Sequence, residues 1–211
     1  MALATDRDLL VLEPNVFRDV AFAAQTRVTA EDAALSGTVL SSASSSFVAG
    51  GVDQGAVAVV GTASLEVAER LSETSLSVSI VRAEPEMPLI PPAAGSGLHL
   101  RVSTFDVQIA ESESRVVRAL GLQTLEDQSD AESTLLAEAG IVRLVSLGAL
   151  ELVFAAASSH TEPSDPNWAR SSWYRQRARD ELRRVRARLD TDGDGVADRV
   201  RRVQPARLVR E

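Results

Sequence analysis

Near the C-terminus the chain reads LDTDGDGVADRV, residues 189–200. Asp190, Asp192, Asp194 and Asp198 fall at positions one, three, five and nine of a twelve-residue calcium loop. Gly195 falls at position six, where such a loop turns sharply, and the Val196 carbonyl at position seven. Hard oxygen donors at alternate positions can curl around one divalent cation, which is the chemistry this spacing invites. Position twelve, where a bidentate glutamate closes the shell, is Arg201. A complete EF-hand is thereby excluded, and no cofactor is required; Asp190, Asp192, Asp194, Val196 and Asp198 are the candidate ligands for a Ca2+ ion. The leading reading of the same residues is an Asp/Gly turn that ends the arginine-rich helix before it and redirects the tail, with ion binding secondary.

The stretch is similar to the DxDGDGxxD loops of thrombospondin type 3 and dockerin-like calcium modules, which come in arrays or pairs, whereas this one stands alone. A filled loop of this kind would act as a local clasp rather than a sensor. Other chemistry is thin. His99 lies in a strand-like run and His160 in a turn, without metal-ligand spacing, and no GxSxG, HExxH or phosphate-loop motif occurs. The serine run 41–46 reads as low complexity, and Gly50–Gly51 and Gly61 as hairpin turn residues. With no cysteine, disulfides, thiolate metal sites and cysteine nucleophiles are excluded. The expectation is a protein that is not an enzyme.

Charge is distributed unevenly. All 22 basic residues are arginine. Residues 1–166 hold 9 arginines against 23 acids, and residues 167–211 hold 13 against 7, so a body of net −14 is followed by an end of net +6. Arg175, Arg179, Arg183 and Arg186 recur near one face of a helix expected to run from Asn167 to about Leu189. That ridge suits subunit contact with an acidic body better than a direct grip on DNA. The start, MALATDRDLLVLEP, carries acids where a secretory leader carries basic and long apolar segments. The expectation is a cytosol-made, soluble protein with no membrane partner.

The elements that would position these residues follow from periodicity. Thr5 with Asp6 and Asp8 starts a helix, Glu13–Pro14 restarts it, and it ends near Gln25. From Thr26 to Val102 short β-like runs alternate with Ser/Gly punctuation. In TSLSVSI, Leu76, Val78 and Ile80 share one face and serines the other, the half-buried antiparallel pattern. Residues 83–97 hold four prolines and form an arm whose Met87, Leu89 and Ile90 should pack on the barrel or a neighbouring subunit. Ser103–Asp106 opens a helix with Val107, Ala110, Val117 and Leu120 inward. Leu135–Ser159 is a central apolar helix with Ile141, Leu144, Val145, Leu147, Leu150 and Phe154 inward. Trp168, Trp173, Leu182, Val185 and Leu189 mark the apolar side of the arginine helix. The fold class expected is α+β: a bundle of about four helices (1–26 and 103–189), an inserted antiparallel β-barrel or sandwich (27–102), and extended arms, with 190–211 an Asp-rich turn and tail.

Three stretches together resemble the head-tail connector proteins of tailed bacteriophages and related gene transfer agents: DLLVLEPNVFRDV, SGTVLSSASSSFVAGGVDQGAVAVVGTASLEVAERLSETSLSVSIV and WYRQRARDELRRVRARLDTDGDGVADRV. The resemblance implies a structural virion protein of the neck, an adaptor that assembles with identical subunits into a ring, typically of twelve. It would lie beneath the portal protein and contact other neck and tail proteins, with DNA passing through its lumen unbound. Arg175, Arg179, Arg183 and Arg186 with Met87, Leu89 and Ile90 are then the candidate oligomer contacts. The alternative function is a calcium-dependent surface or extracellular binding module, with the Asp loop as its clasp.

Overall fold

Ser36–Gly37–Thr38–Val39 and Val60–Gly61–Thr62–Ala63 each close a two-residue hairpin whose first turn residue needs positive φ, and Gly37 and Gly61 both sit at φ 58. The computed structural model describes residues 3–120, 134–136, 138–159, 164–190 and 194–202. Its fold is α+β, with five α-helices and a closed six-stranded antiparallel barrel among the described residues. The chain forms two compact units, Thr5–Asp106 and Met1–Ala4 with Val107–Glu211.

In the first unit, β1 (Thr26–Ser36), β2 (Val39–Ser41), β3 (Val57–Val60), β4 (Ala63–Arg70), β5 (Ser75–Ile80) and β6 (Gly95–Ser103) close in the order β1–β2–β5–β4–β3–β6. Closure leaves no strand edge to pair with another chain. Alternate residues, such as Ala33 and Leu35 on β1, Leu65 and Val67 on β4, and Leu100 and Val102 on β6, fill the interior. The stretch SSSFVAGGV is not a strand. It crosses one end of the barrel and drives Phe47 and Val52 into the core, with the Val52 amide donating to the Phe47 carbonyl at 2.9 Å. Gly50 and Gly51 are therefore loop residues of this plug. A side chain at Gly50 would meet the Val28 methyl. On β5 the interior face holds Leu76 and Val78, but Ile80 emerges to 43% exposure, and Ser77 and Ser79 are buried. The alternation stops where the strand leaves the barrel.

The opening helices belong to this unit rather than to the helices that follow residue 106. α1 (Asp6–Leu12) and α2 (Val16–Asp19) precede a 3-10 turn, Ala23–Gln25. The Asp8 carboxylate accepts both the Thr5 amide and hydroxyl, which holds the α1 start. Leu9, Leu10, Val16 and Phe17 are fully or almost fully buried, and Phe17 lies 4.7 Å from the Phe105 ring.

In the second unit, α3 (Asp106–Ala119, of which Val107 onward lies here) buries Ile109, Ser112, Val116 and the following Leu120, while Val107 is 67% exposed. The inward stripe is thus turned from the one the sequence suggested, because small Ser112 seats against α4 (Ala139–Ala157). The Ser112 hydroxyl donates to the Val145 carbonyl at 2.8 Å. α4 buries all six residues expected to face inward. By length and composition it would suffice to cross a membrane, and half of that stretch is buried within the protein. It runs antiparallel to α5 (Pro166–Leu182), joined by Glu151 to Arg175 and Arg143 to Glu181. β7 (Thr134–Leu135), β8 (Arg186–Asp190) and β9 (Arg199–Arg202) form a three-stranded antiparallel sheet with β8 central.

The α3–α4 crossing is close enough to test. A Cβ at Gly148 would stand 2.3 Å from the Ser112 hydroxyl oxygen. Gly148→Ala should lose about 1 kcal/mol despite alanine's higher helix propensity, because Ser112 must surrender its bond to Val145. Adding Ser112→Ala should restore stability to the parent's or above, read from urea midpoints of the four proteins. Simple additivity of the two changes would show that the crossing is looser than this.

Candidate interaction surface

Asp165 caps α5, its carboxylate accepting the Asn167 and Trp168 amides at 2.8 and 3.2 Å, with Pro166 in the first helical position. The cap is therefore two residues upstream of the expected Asn167. The buried face of α5 is Ser171 and Tyr174. Tyr174 stacks on Phe154 at 5.7 Å, and Trp173 is 51% exposed with the Arg177 guanidinium 4.4 Å above it. The expected Trp173 core position is thereby corrected; its ring serves as a platform for a cation.

α5 stops at Leu182 instead of running to Leu189. Residues 186–190 read Arg-Ala-Arg-Leu-Asp, and that alternation becomes β8, with Ala187 and Leu189 inward and Arg186 and Arg188 outward. Arg186 therefore leaves the expected helical ridge. Of the other three arginines, Arg175 is engaged within the unit: its Nε donates to the Glu151 carboxylate at 2.8 Å and its guanidinium lies 5.9 Å from the Trp168 ring. Arg179 is exposed and lines a groove of about 270 Å3 with Arg115, Val116, Leu144 and Leu182. Arg183 caps the helix end and pairs with Asp180.

The aspartate loop is not the end of the arginine helix. It is the turn of the β8–β9 hairpin. Asp190 is 4% exposed, and its carboxylate accepts the Gly195 amide at 2.8 Å. Gly195 takes φ 82, and the Asp194 carboxylate accepts the Val196 amide at 2.7 Å. The Asp198 amide donates back to the Leu189 carbonyl, closing the hairpin. Asp192 and His160 lie outside the described residues. Among the described residues, no three His, Asp or Glu side chains converge as a cation site. The Asp190 and Asp194 carboxylates thus each organise an amide of the turn itself.

The arm is fastened to its own barrel. Arg82 donates to the Met87 carbonyl, and Ile90 exchanges backbone and hydroxyl bonds with Ile80 and Ser79. Its last three residues, 95–97, already belong to β6. Leu89 is half-buried, whereas Met87 and Ile90 stay 47% and 43% exposed. Arg82 itself is anchored by Glu66, wholly buried on β4, which also pairs with Arg7 from α1. The Arg7 guanidinium in turn donates to the Arg82 carbonyl at 2.7 Å. Burial of a carboxylate is tolerated here because two guanidiniums satisfy it.

These placements leave two exposed surfaces of opposite sign. The Thr5–Asp106 unit holds six arginines against thirteen acids. Arg184, Arg186, Arg188 and Arg199 are all exposed at and beyond the end of α5, and Arg188 reaches Glu138 at 3.3 Å. The contribution of Arg188, Arg199 and the arm glutamates escaped a helical reading of the sequence. The signal that could have found Arg188 is the period-two alternation of residues 186–189. Comparison with protein-family models, with curated proteins and with solved structures yields no match to this chain.

Proposed function

We propose that this chain is a structural subunit that assembles head to tail with identical copies into a ring of the phage head–tail connector kind, through whose lumen DNA passes between portal and tail. The observation that carries the reading is the separation of charge: an acidic barrel unit and a set of exposed arginines at the other end of the same chain. Surfaces of opposite sign on one subunit favour heterologous contacts, which build a ring where the rotation between subunits closes. The resemblance to connector proteins in three stretches of sequence supplies the kind of ring. An acidic body around a channel would also let DNA slide, since its phosphates find few cations there to exchange for counterions.

The test is the mass of the purified full-length chain by light scattering and native mass spectrometry across salt. A multimer is expected at about 50 mM salt, dissociating as ionic strength approaches about 1 M, where surface charges are screened beyond about 3 Å. A chelator should change neither mass nor melting temperature. A monomer at every salt concentration would overturn the reading, and a melting temperature that falls on chelation would favour the calcium-clasp alternative.

A further inference from the structure

The two exposed surfaces can be matched more closely, on the premise that the chain assembles as proposed. Glu84–Pro85–Glu86–Met87 is a tight turn in which the Met87 amide donates to the Glu84 carbonyl at 3.2 Å, with proline in the position that presets it. Its base is held by Arg82 at Met87 and by Ser79 at Ile90, so its shape is set before any partner arrives. Glu84, Glu86, Met87 and Ile90 all face solvent, and neither glutamate has an ion pair among the described residues. The result is a rigid protrusion with two carboxylates beside two apolar side chains.

The hairpin carries the converse. Because Ala187 and Leu189 are buried, Arg186 and Arg188 stand on the outer face of β8, on the order of 7 Å apart along the strand, Arg188 still exposed although it also reaches Glu138 at 3.3 Å. Opposite Arg188 is Val200, 59% exposed. Arginine forks pair well with carboxylates, and the exposed valine offers an apolar contact beside them.

We infer that the outer face of the β8–β9 hairpin, Arg186, Arg188 and Val200, docks onto the Glu84–Ile90 arm of a second copy of this chain, carboxylates on guanidiniums and Met87 toward Val200. Donor and acceptor lie on different parts of one sequence, so each copy has one of each to offer its two neighbours, and the contact propagates.

The test uses two full-length variants, Glu84→Arg with Glu86→Arg, and Arg186→Glu with Arg188→Glu. Each alone carries like charges on both surfaces and should fall to the monomer mass, with an apparent dissociation constant raised by about tenfold or more. Mixed one to one, they offer opposite charges at every contact and should recover the parent's assembly in alternating order. A misfolded variant would not recover on mixing, so recovery also reports folding. If the parent assembles but either variant assembles as well as it does, the inference fails while the assembly reading stands. If the parent is monomeric, both fail. Loss of melting temperature in each variant without any effect of mixing would place the contact within one chain and overturn the inference. So would loss of duplex DNA retention by the arginine variant with its assembly intact.

Discussion

Glu66→Ala should cost about 3–5 kcal/mol of the barrel unit's stability, the loss expected when one partner of a buried ion cluster is removed and the others stay charged. Glu66 is wholly buried, with Arg7 on one carboxylate oxygen and Arg82 on the other, side chains only 10% and 6% exposed. Without the carboxylate, two guanidiniums face each other in a space that water barely reaches. Small domains have about 5–15 kcal/mol in total, so the variant should melt far earlier or fail to fold. Replacing the cluster by apolar residues of similar volume, Arg7→Met, Glu66→Leu and Arg82→Met, should recover most of the loss, since burying ions is itself expensive. Urea unfolding followed by far-ultraviolet circular dichroism, which reads the strands of the barrel, distinguishes the two. A loss under about 1 kcal/mol for Glu66→Ala would mean that the cluster is solvated and does not bind α1 and the arm to the barrel.

The second large effect is a dependence of stability on pH set by Asp6. Burial at the start of α1 pushes its carboxyl up to about 7, against the bonds from the Phe105 amide at 2.8 Å and the Thr104 hydroxyl, which favour the ionised form. An ordinary carboxyl in the unfolded chain titrates near 3.8. Between about pH 4 and 7 the folded protein therefore keeps a proton that the unfolded chain has lost. Stability should fall as pH rises through this window by about 1.4 kcal/mol per unit, roughly 4 kcal/mol in all, and level off above it. Asp32 pulls the other way only at lower pH: hydrogen bonds from Ser42 and Ser44 hold its carboxyl down to about 2, so its contribution is lost as pH drops from about 4 through 2. Asp6→Asn keeps an oxygen for the Phe105 amide and removes the charge. The variant should match the parent near pH 4 and exceed it at pH 8, with no slope between. Parallel profiles for parent and variant across pH 4–8 would show that Asp6 is ionised in the folded protein.

Much of the barrel could be read in advance because its signals are local. The glycine of the Val60–Ala63 hairpin, serine–apolar alternation, and prolines that cannot sit in a central strand each act over a few residues, as did the apolar stripe of α4; Gly50 and Gly51, read the same way, instead lie in the loop that carries Phe47 and Val52. The aspartate loop was legible as a turn for the same reason, since Gly195 alone can supply its conformation cheaply.

What escaped depended on partners distant in sequence. Residues 186–190 follow a helix and are rich in arginine, a good helix former; only pairing with Thr134–Leu135 and Arg199–Arg202 draws them into a strand. α3 turned its serine inward because Gly148, 36 residues on, leaves room for nothing larger. Arg175 was spent on Glu151 across a helix pair, and Arg82 on Glu66 and the arm. By itself the sequence determined an α+β chain with a β-rich segment, a central apolar helix, an acidic body and an arginine-rich end, since composition and period act within a window of neighbours. Only the tertiary structure decided that α1 and α2 join the barrel, that Glu66 and Asp6 lie buried, and which arginines still face water. Those outcomes depend on which surfaces meet, and pairing energies between residues far apart in the chain leave no local trace.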